Sequence, residues 1–230
     1  MLEHIGIVAC SAEGAALCYR TLCLEGGQVL GEHDHPEITL SSIPLARYME
    51  PIRRGDWGRV AELMLDSVGK LARAGATFAI CPDNTIHEAL PYVLPRSPLP
   101  WLHIAEVVAD VAASRGFRRL GILGTRYLME GPVYGLALGS RGIDWRVPDA
   151  TTRQAIDTAI FGELVKAVLA DETRRMLYRA IDAMRREGCD AAVLACTEIP
   201  LIVRPEEASL PVLDSTRLLA RAALRRATSA

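Results

Sequence analysis

The sequence predicts an α/β fold built from one unit used twice, because short apolar runs alternate with amphipathic stretches and because two segments repeat one another. Alternation of this kind is the pattern of parallel sheets with helical crossovers. When Gly75 is laid over Gly188 without gaps, GATFAICPDNT falls on GCDAAVLACTE, and Asp83 and Cys196 occupy one position, each eight residues after its glycine. Ile5-Gly6-Ile7-Val8 has its counterpart in Leu120-Gly121-Ile122-Leu123. Gly6 precedes Asp83 by 77 positions where Gly121 precedes Cys196 by 75. Ser97-Pro98-Leu99-Pro100-Trp101-Leu102-His103 likewise resembles Ser209-Leu210-Pro211-Val212-Leu213-Asp214. Near-equal spacing favours duplication over accident.

The elements follow in order. His4 to Ala9 is a strand that ends in Cys10-Ser11-Ala12-Glu13-Gly14, and a helix is expected from about Ala15 to Leu24. Ile38 to Ile43 is the next strand. Trp57 to Ala74 carries helical periodicity in Val60, Leu63, Met64, Val68 and Leu71, and closes at Gly75, a natural C-terminal cap. A strand over 76–81 runs into Asp83-Asn84-Thr85, before the helix-like Ile86-His87-Glu88-Ala89-Leu90. A strand at Trp101 to Ile104 and a helix over 105–115 complete the first half. The second half reads as strand 120–123, helix 131–140, a short strand near Trp145, helices 152–170 and 172–187, and strand 191–195 before Cys196-Thr197-Glu198. The sum is two pseudo-symmetric Rossmann-like lobes, each a parallel four-stranded sheet flanked by helices. The lobes are expected to span residues 1–103 plus 211–230 and residues 104–210.

Bulk properties narrow the function classes. Half of the 230 residues are hydrophobic but charges are interleaved with them, so no window approaches the roughly 20 apolar residues of a membrane span. The N-terminus lacks the basic and apolar regions of an export signal, which makes the cytoplasm the expected location. Six cysteines without a CxxC pair read as reduced thiols, and neither they nor the five histidines have metal-ligand spacing. His33 and His35, in a Gly/Pro-rich loop, read as solvated. A net charge of −2 without a basic block leaves no electrostatic footprint for nucleic acid. Gly6 and Gly14 do not make GxGxxG and no P-loop lysine motif is present, which argues against a nucleotide-binding protein.

Ligands of open parallel sheets bind beyond the carboxyl ends of the strands. Two facing lobes would bring Cys10-Ser11, Asp83-Asn84-Thr85, Gly124-Thr125-Arg126 and Cys196-Thr197-Glu198 to one inter-lobe cleft. An acid or base donated by equivalent positions of the two lobes suits racemisation, in which one group removes the α-proton and a second delivers one to the opposite face.

Those residues resemble the pyridoxal-independent aspartate/glutamate racemase family, whose two lobes each supply a catalytic cysteine in CNT and GCTE type motifs. The matches are Asp83-Asn84-Thr85 with His87, Cys196-Thr197-Glu198 with Ile199-Pro200, the LGTRYxMExxxY-like run 123–134, Leu102-His103-Ile104-Ala105 and the glycine-start strand Ile5-Gly6-Ile7-Val8. The resemblance covers essentially the whole chain and is closest to broad-specificity members. It implies an isomerase acting at the α-carbon of a small carboxylate amino acid without cofactor or metal, commonly as a homodimer.

Two departures shape the expected site. The first family cysteine is replaced by Asp83, and Cys81 lies two residues earlier, about 6 to 7 Å along the strand, next to Pro82, which restricts its geometry; Cys81 is not the expected thiol. The glycine-rich turn after strand one is replaced by Ala9-Cys10-Ser11-Ala12-Glu13-Gly14, where Ser11 is a candidate carboxylate donor and Cys10 a small buried hydrophobe. Asp83 is read either as a base paired with Cys196 as acid or as an orienting group, with helix capping the plain alternative. Thr85, Thr125 and Thr197 are expected to bind a substrate carboxylate, Asn84 to position substrate, and Glu198 to orient its neighbours, hold an amine or cap the next helix. Arg47 and Lys166, then Arg53 and Arg54, are candidate cations for a second carboxylate; each also reads as a surface charge. The alternatives to a racemase are a single-cysteine decarboxylase, a one-sided isomerase and a catalytically silent amino-acid-binding homologue.

Overall fold

A computed structural model describes residues 2–229. The chain forms two compact units, residues 1–104 with 216–230 and residues 105–215. The first contains β1 (Ile5–Ala9), α1 (Ala12–Leu30), β2 (Ile38–Ser42), α2 (Leu45–Arg54), α3 (Trp57–Arg73), β3 (Phe78–Ile80), a 3-10 turn at Thr85–Ala89 running into α4 (Leu90–Val93), and β4 (Trp101–Leu102). Its strands form a parallel sheet in the order β2-β1-β3-β4. The chain leaves this unit through α5 (Ile104–Ser114).

The second unit continues with β5 (Arg119–Leu123), α6 (Arg126–Glu130), α7 (Val133–Gly139), β6 (Asp144–Arg146), α8 (Ala150–Gly162), α9 (Asp171–Arg186), β7 (Ala191–Leu194) and β8 (Val212–Asp214). Its parallel sheet has the order β6-β5-β7-β8, the same path as the first. The final helix, α10 (Ser215–Thr228), returns the chain to the first unit. Because β8 is the edge strand of the second sheet, this return falls after Ser215 rather than at residue 211.

The repeat read from the sequence is present in the hydrogen-bonding register. Gly6 of β1 stands opposite Ala79 of β3, and Gly121 of β5 stands opposite Ala192 of β7. Ala79 and Ala192 are the pair that the Gly75/Gly188 superposition aligns. The helix ends match as well: Gly75 and Gly188 have φ of 95° and 83°. Beyond each, an amide bonds back into the last turn, Ala76 N–H to Leu71 O and Cys189 N–H to Met184 O. This is the glycine-closed helix end in which only a residue without Cβ takes the left-handed turn cheaply.

Each sheet is sealed by apolar residues on both faces, as parallel sheets require. In the first unit Ile5, Ile7, Phe78 and Ile80 are fully buried. In the second, Leu123, Ala192 and Leu194 pack with Ile156 and Ile160 of α8 and Ile181 and Met184 of α9. No helix of the described residues is long and apolar enough to cross a membrane.

Several boundaries differ from the sequence expectation. Helix α1 runs to Leu30 because its buried face continues past Leu24 through Gly26. Helix α2 was not anticipated; Pro44 starts it and Pro51 lies within it, two residues that disguise a helix in sequence. The helix expected over 131–140 is α7, and Gly131 and Pro132 separate it from α6, a short helix that was not anticipated. The helix expected over 152–170 ends at Gly162, and a 3-10 turn at Leu164–Lys166 leads to Ala167 in a left-handed conformation. The expected strand 101–104 covers only Trp101–Leu102, since Ile104 already begins α5.

Candidate active site

In each unit the proposed residues follow two adjacent parallel strands and therefore emerge at one end of one sheet. Ser11 follows β1, and Asp83, Asn84 and Thr85 follow β3, with Ile7 opposite Ile80. Thr125 follows β5, and Cys196, Thr197 and Glu198 follow β7, with Leu123 opposite Leu194. Ser11 and Thr125 play the same local part. Ser11 Oγ accepts from Gly14 N–H at 3.3 Å as the N-cap of α1, and Thr125 Oγ1 accepts from Leu128 N–H at 3.2 Å as the N-cap of α6.

The Asp83 loop is held at two points. Its carboxylate Oδ1 accepts from Ile86 N–H at 3.3 Å, so the capping role read from the sequence is real. Its main-chain carbonyl accepts from His87 Nδ1 at 2.7 Å. Asp83 is only half-buried, whereas Asn84, Thr85 and His87 around it are buried. The Asp83 carboxylate thus combines partial exposure with an aim fixed by the backbone, two properties that suit a proton acceptor.

Cys81 has neither property. It is fully buried, and burial foremost, with the nearby Asp83 carboxylate second, pushes its thiol well above the usual value. Its Sγ instead points to the Asp83 carbonyl at 3.8 Å. A thiol held protonated in this way is an inert part of the core.

The second unit offers a different constellation. Cys196 Sγ donates to Glu198 Oε2 at 3.0 Å, and Thr197 Oγ1 donates to the same oxygen at 2.7 Å. All three residues are buried. Glu198 Oε2 therefore holds Cys196 as a thiol, the form that can deliver a proton. The other carboxylate oxygen, Oε1, is buried and has no hydrogen-bond partner among the described residues. An unsatisfied buried carboxylate oxygen is costly unless a cationic donor reaches it, so orienting a thiol and receiving an amine are both open to Glu198. Its side chain makes no capping bond to the 3-10 turn that follows at Ile199–Leu201.

The expected cations stand apart from this pattern. Arg47, Arg53 and Arg54 are exposed on α2, and Lys166 is exposed in the turn after α8. Arg54 pairs with Glu50 at 3.0 Å, and Arg47 contributes to holding the Asp66 carboxyl low, after Lys70 as the main cause. Among the described residues no group of three or more His, Cys, Asp or Glu is placed to hold a metal ion.

Tyr48 and the bridging part of His87 were missed by the sequence reading. Tyr48, beside Arg47, points into the core and is fully buried. Burial foremost, then Cys10, Cys81 and Asp83, push its phenol far above the usual value, so it remains an O–H donor. Among the described residues its hydroxyl makes no hydrogen bond of normal geometry, and Ser67 beside it is engaged by Ser41 at 3.2 Å. The inward phase of Tyr48, Met49 and Ile52 would have revealed it had α2 been recognised.

Comparison with known proteins places this geometry in context. The family model described as Asp/Glu/Hydantoin racemase matches residues 11–223. The broad specificity amino-acid racemase of Bacillus subtilis (strain 168) is 22% identical over 188 residues, covering 82% of this chain and 80% of that protein. Among solved structures, a Yersinia pestis protein named after the Asp/Glu racemases is 31% identical with a TM-score of 0.89, over 98% of this chain and 99% of that one. An aspartate racemase homologue from Pyrococcus horikoshii OT3 is 25% identical with a TM-score of 0.83, over 99% of this chain and 100% of that one.

Proposed function

This chain belongs to the Asp/Glu/hydantoin racemase family, and on that premise we propose that it is a cofactor-independent racemase or isomerase acting at the α-carbon of a small carboxylate amino acid. Asp83 takes the α-proton and Cys196 returns one to the opposite face. The observation that carries the reading is the chemistry at two equivalent positions: a half-exposed, backbone-fixed carboxylate after β3, and a protonated thiol donating to Glu198 after β7. A carboxylate with a neutral thiol is a stable resting pair, whereas two anions sharing one small site would repel. The pairing is directional: proton removal by Asp83 and delivery by Cys196 run more easily at first than the reverse.

The buried Oε1 of Glu198 supports a role in holding the substrate ammonium, while Ser11, Asn84, Thr85 and Thr125 supply donors for the α-carboxylate and the Thr197 hydroxyl, already donating to Glu198, helps to orient it. Such donors are needed because, without a cofactor, the carbanion must be stabilised by the site itself. Arg47 or Lys166 would serve a second carboxylate. Cytoplasmic location and a homodimer belong to the same proposal on the strength of the family resemblance, and light scattering checks the latter.

The test is proton NMR in deuterated water with a panel of amino acids and 2-substituted malonates. Loss of the α-proton signal without loss of CO₂ is the expected outcome. Loss of CO₂ instead assigns a single-cysteine decarboxylase, and silence across the panel sinks the enzymatic reading in favour of a binding protein.

A further inference from the structure

His87 bridges two parts of the first unit. Its Nε2 lies 3.2 Å from the main-chain N–H of Ile104, and its Nδ1 lies 2.7 Å from the carbonyl of Asp83. The chemistry of these partners leaves one assignment. A backbone N–H can only donate, so Nε2 must carry a lone pair; a carbonyl can only accept, so Nδ1 must carry the proton. The ring is therefore neutral and fixed in a single tautomer. It is 1% exposed, and the edge of the His103 ring packs against it with centroids 4.7 Å apart. A protonated ring would turn an N–H toward the Ile104 N–H and break the bridge.

The bridge has a direction. Ile104 opens α5, immediately beyond the end of β4, while Asp83 lies in the loop beyond β3. These strands are neighbours, with Ile80 opposite Leu102. His87 thus ties the loop bearing Asp83 to the next strand's exit, at the point where no further sheet hydrogen bonds restrain it. Two bonds within the loop act beside it, Asp83 Oδ1 accepting from Ile86 N–H and Asn84 O accepting from the main-chain N–H of His87 at 3.2 Å. Both belong to the same turn and would move with it.

We propose that His87 is the positioning residue for Asp83, holding the carboxylate in its working orientation by donating from Nδ1 to the Asp83 carbonyl while anchored through Nε2 to Ile104. This rests on the reading of Asp83 as the base. Burial first, and His103 second, hold the imidazole well below its usual value, which keeps the bridge intact at neutral pH.

Two substitutions separate positioning from general stability. In His87→Asn the amide nitrogen overlies Nδ1 and keeps the donor to Asp83 while losing the anchor. In His87→Gln the amide reaches Nε2's place and keeps an acceptor for Ile104 while losing the donor. Each variant breaks one end of the bridge, so a merely structural residue predicts lower stability in both with kcat of the folded protein unchanged. The expected result is that kcat for α-proton exchange falls at least about 30-fold in both folded variants while KM stays within about threefold, as misplacement of a catalytic group demands. A wild-type kcat in either folded variant overturns the proposal.

A second readout does not need activity. Nitrogen-15 NMR of the wild-type chain is expected to report a neutral ring protonated at Nδ1. Carbon-13 titration of the Asp83 carboxyl is expected to move in both His87→Gln and His87→Asn. A ring protonated at Nε2, or an Asp83 titration that neither variant moves, contradicts the proposal. If wild type exchanges no α-proton while both NMR results hold, the assigned reaction fails and the positioning of Asp83 stands.

Discussion

Asp83 and Cys81 lie two residues apart and have opposite fates, and burial is the first cause of the difference. Cys81 directly follows β3 and is fully enclosed, with the Asp83 carboxylate helping to keep it a thiol. Asp83 clears the sheet and reaches solvent on one side. Cys81→Ala is accordingly expected to reduce stability by about 1 kcal/mol, the cost of a small buried cavity, and to leave α-proton exchange within about twofold; urea titration and exchange rates check both. A loss of exchange comparable to that of Cys196→Ala would make Cys81 the family thiol after all. The sequence was informative at this scale where a residue type carries its own chemistry. The repeat singled out Asp83 and Cys196, and Pro82 argued against Cys81. It was uninformative where function depends on what a side chain touches. Nothing in the spacing says that Glu198 Oε2 accepts from Cys196, that His87 reaches across to Ile104, or that Tyr48 rather than Arg47 turns toward Cys10, Cys81 and Asp83.

The elements were legible in proportion to their regularity. Helix α3 and the paired strands carry strong periodicity and closing glycines, and they lie where expected. Helix α2 was invisible because proline occupies its start and its interior, and α8 was overextended because an apolar run continues past Gly162 into a 3-10 turn. The duplicated element also carries a packing rule. A Cβ on Gly6 of β1 would approach Leu71 of α3 at 3.1 Å, and a Cβ on Gly121 of β5 would meet Met184 of α9 at 2.2 Å at its sulfur and 3.1 Å at its own Cβ. Leu71 and Met184 are equivalent in the repeat, so in both units the glycine admits the crossover helix. Gly121→Ala is expected to cost about 1 to 3 kcal/mol through overpacking. In Gly121→Ala with Met184→Ala the combined loss should fall short of the sum by about 1 kcal/mol, since the second change removes the clash. Strict additivity in urea titrations would mean that the contact does not govern the fit.

At the scale of the whole molecule, duplication is what turns two unremarkable strand-end loops into a chemical proposal. One unit supplies a carboxylate and the other a thiol at the same place in the same fold, and a reaction that needs a proton removed from one face and returned to the other can use both. On the proposed assignment, Asp83 in place of the family's first cysteine makes that pair chemically unlike, and the first turnover would run more easily from the Asp83 side. The measurement that bears most directly on this account is the rate of α-proton exchange in deuterated water for Asp83→Asn beside wild type, with a substrate that the wild-type chain turns over. Loss of the base is predicted to lower exchange at least about 100-fold, in the range of a missing general base, because an amide accepts no proton while its shape and the cap to Ile86 are kept. Full exchange by Asp83→Asn would contradict the account.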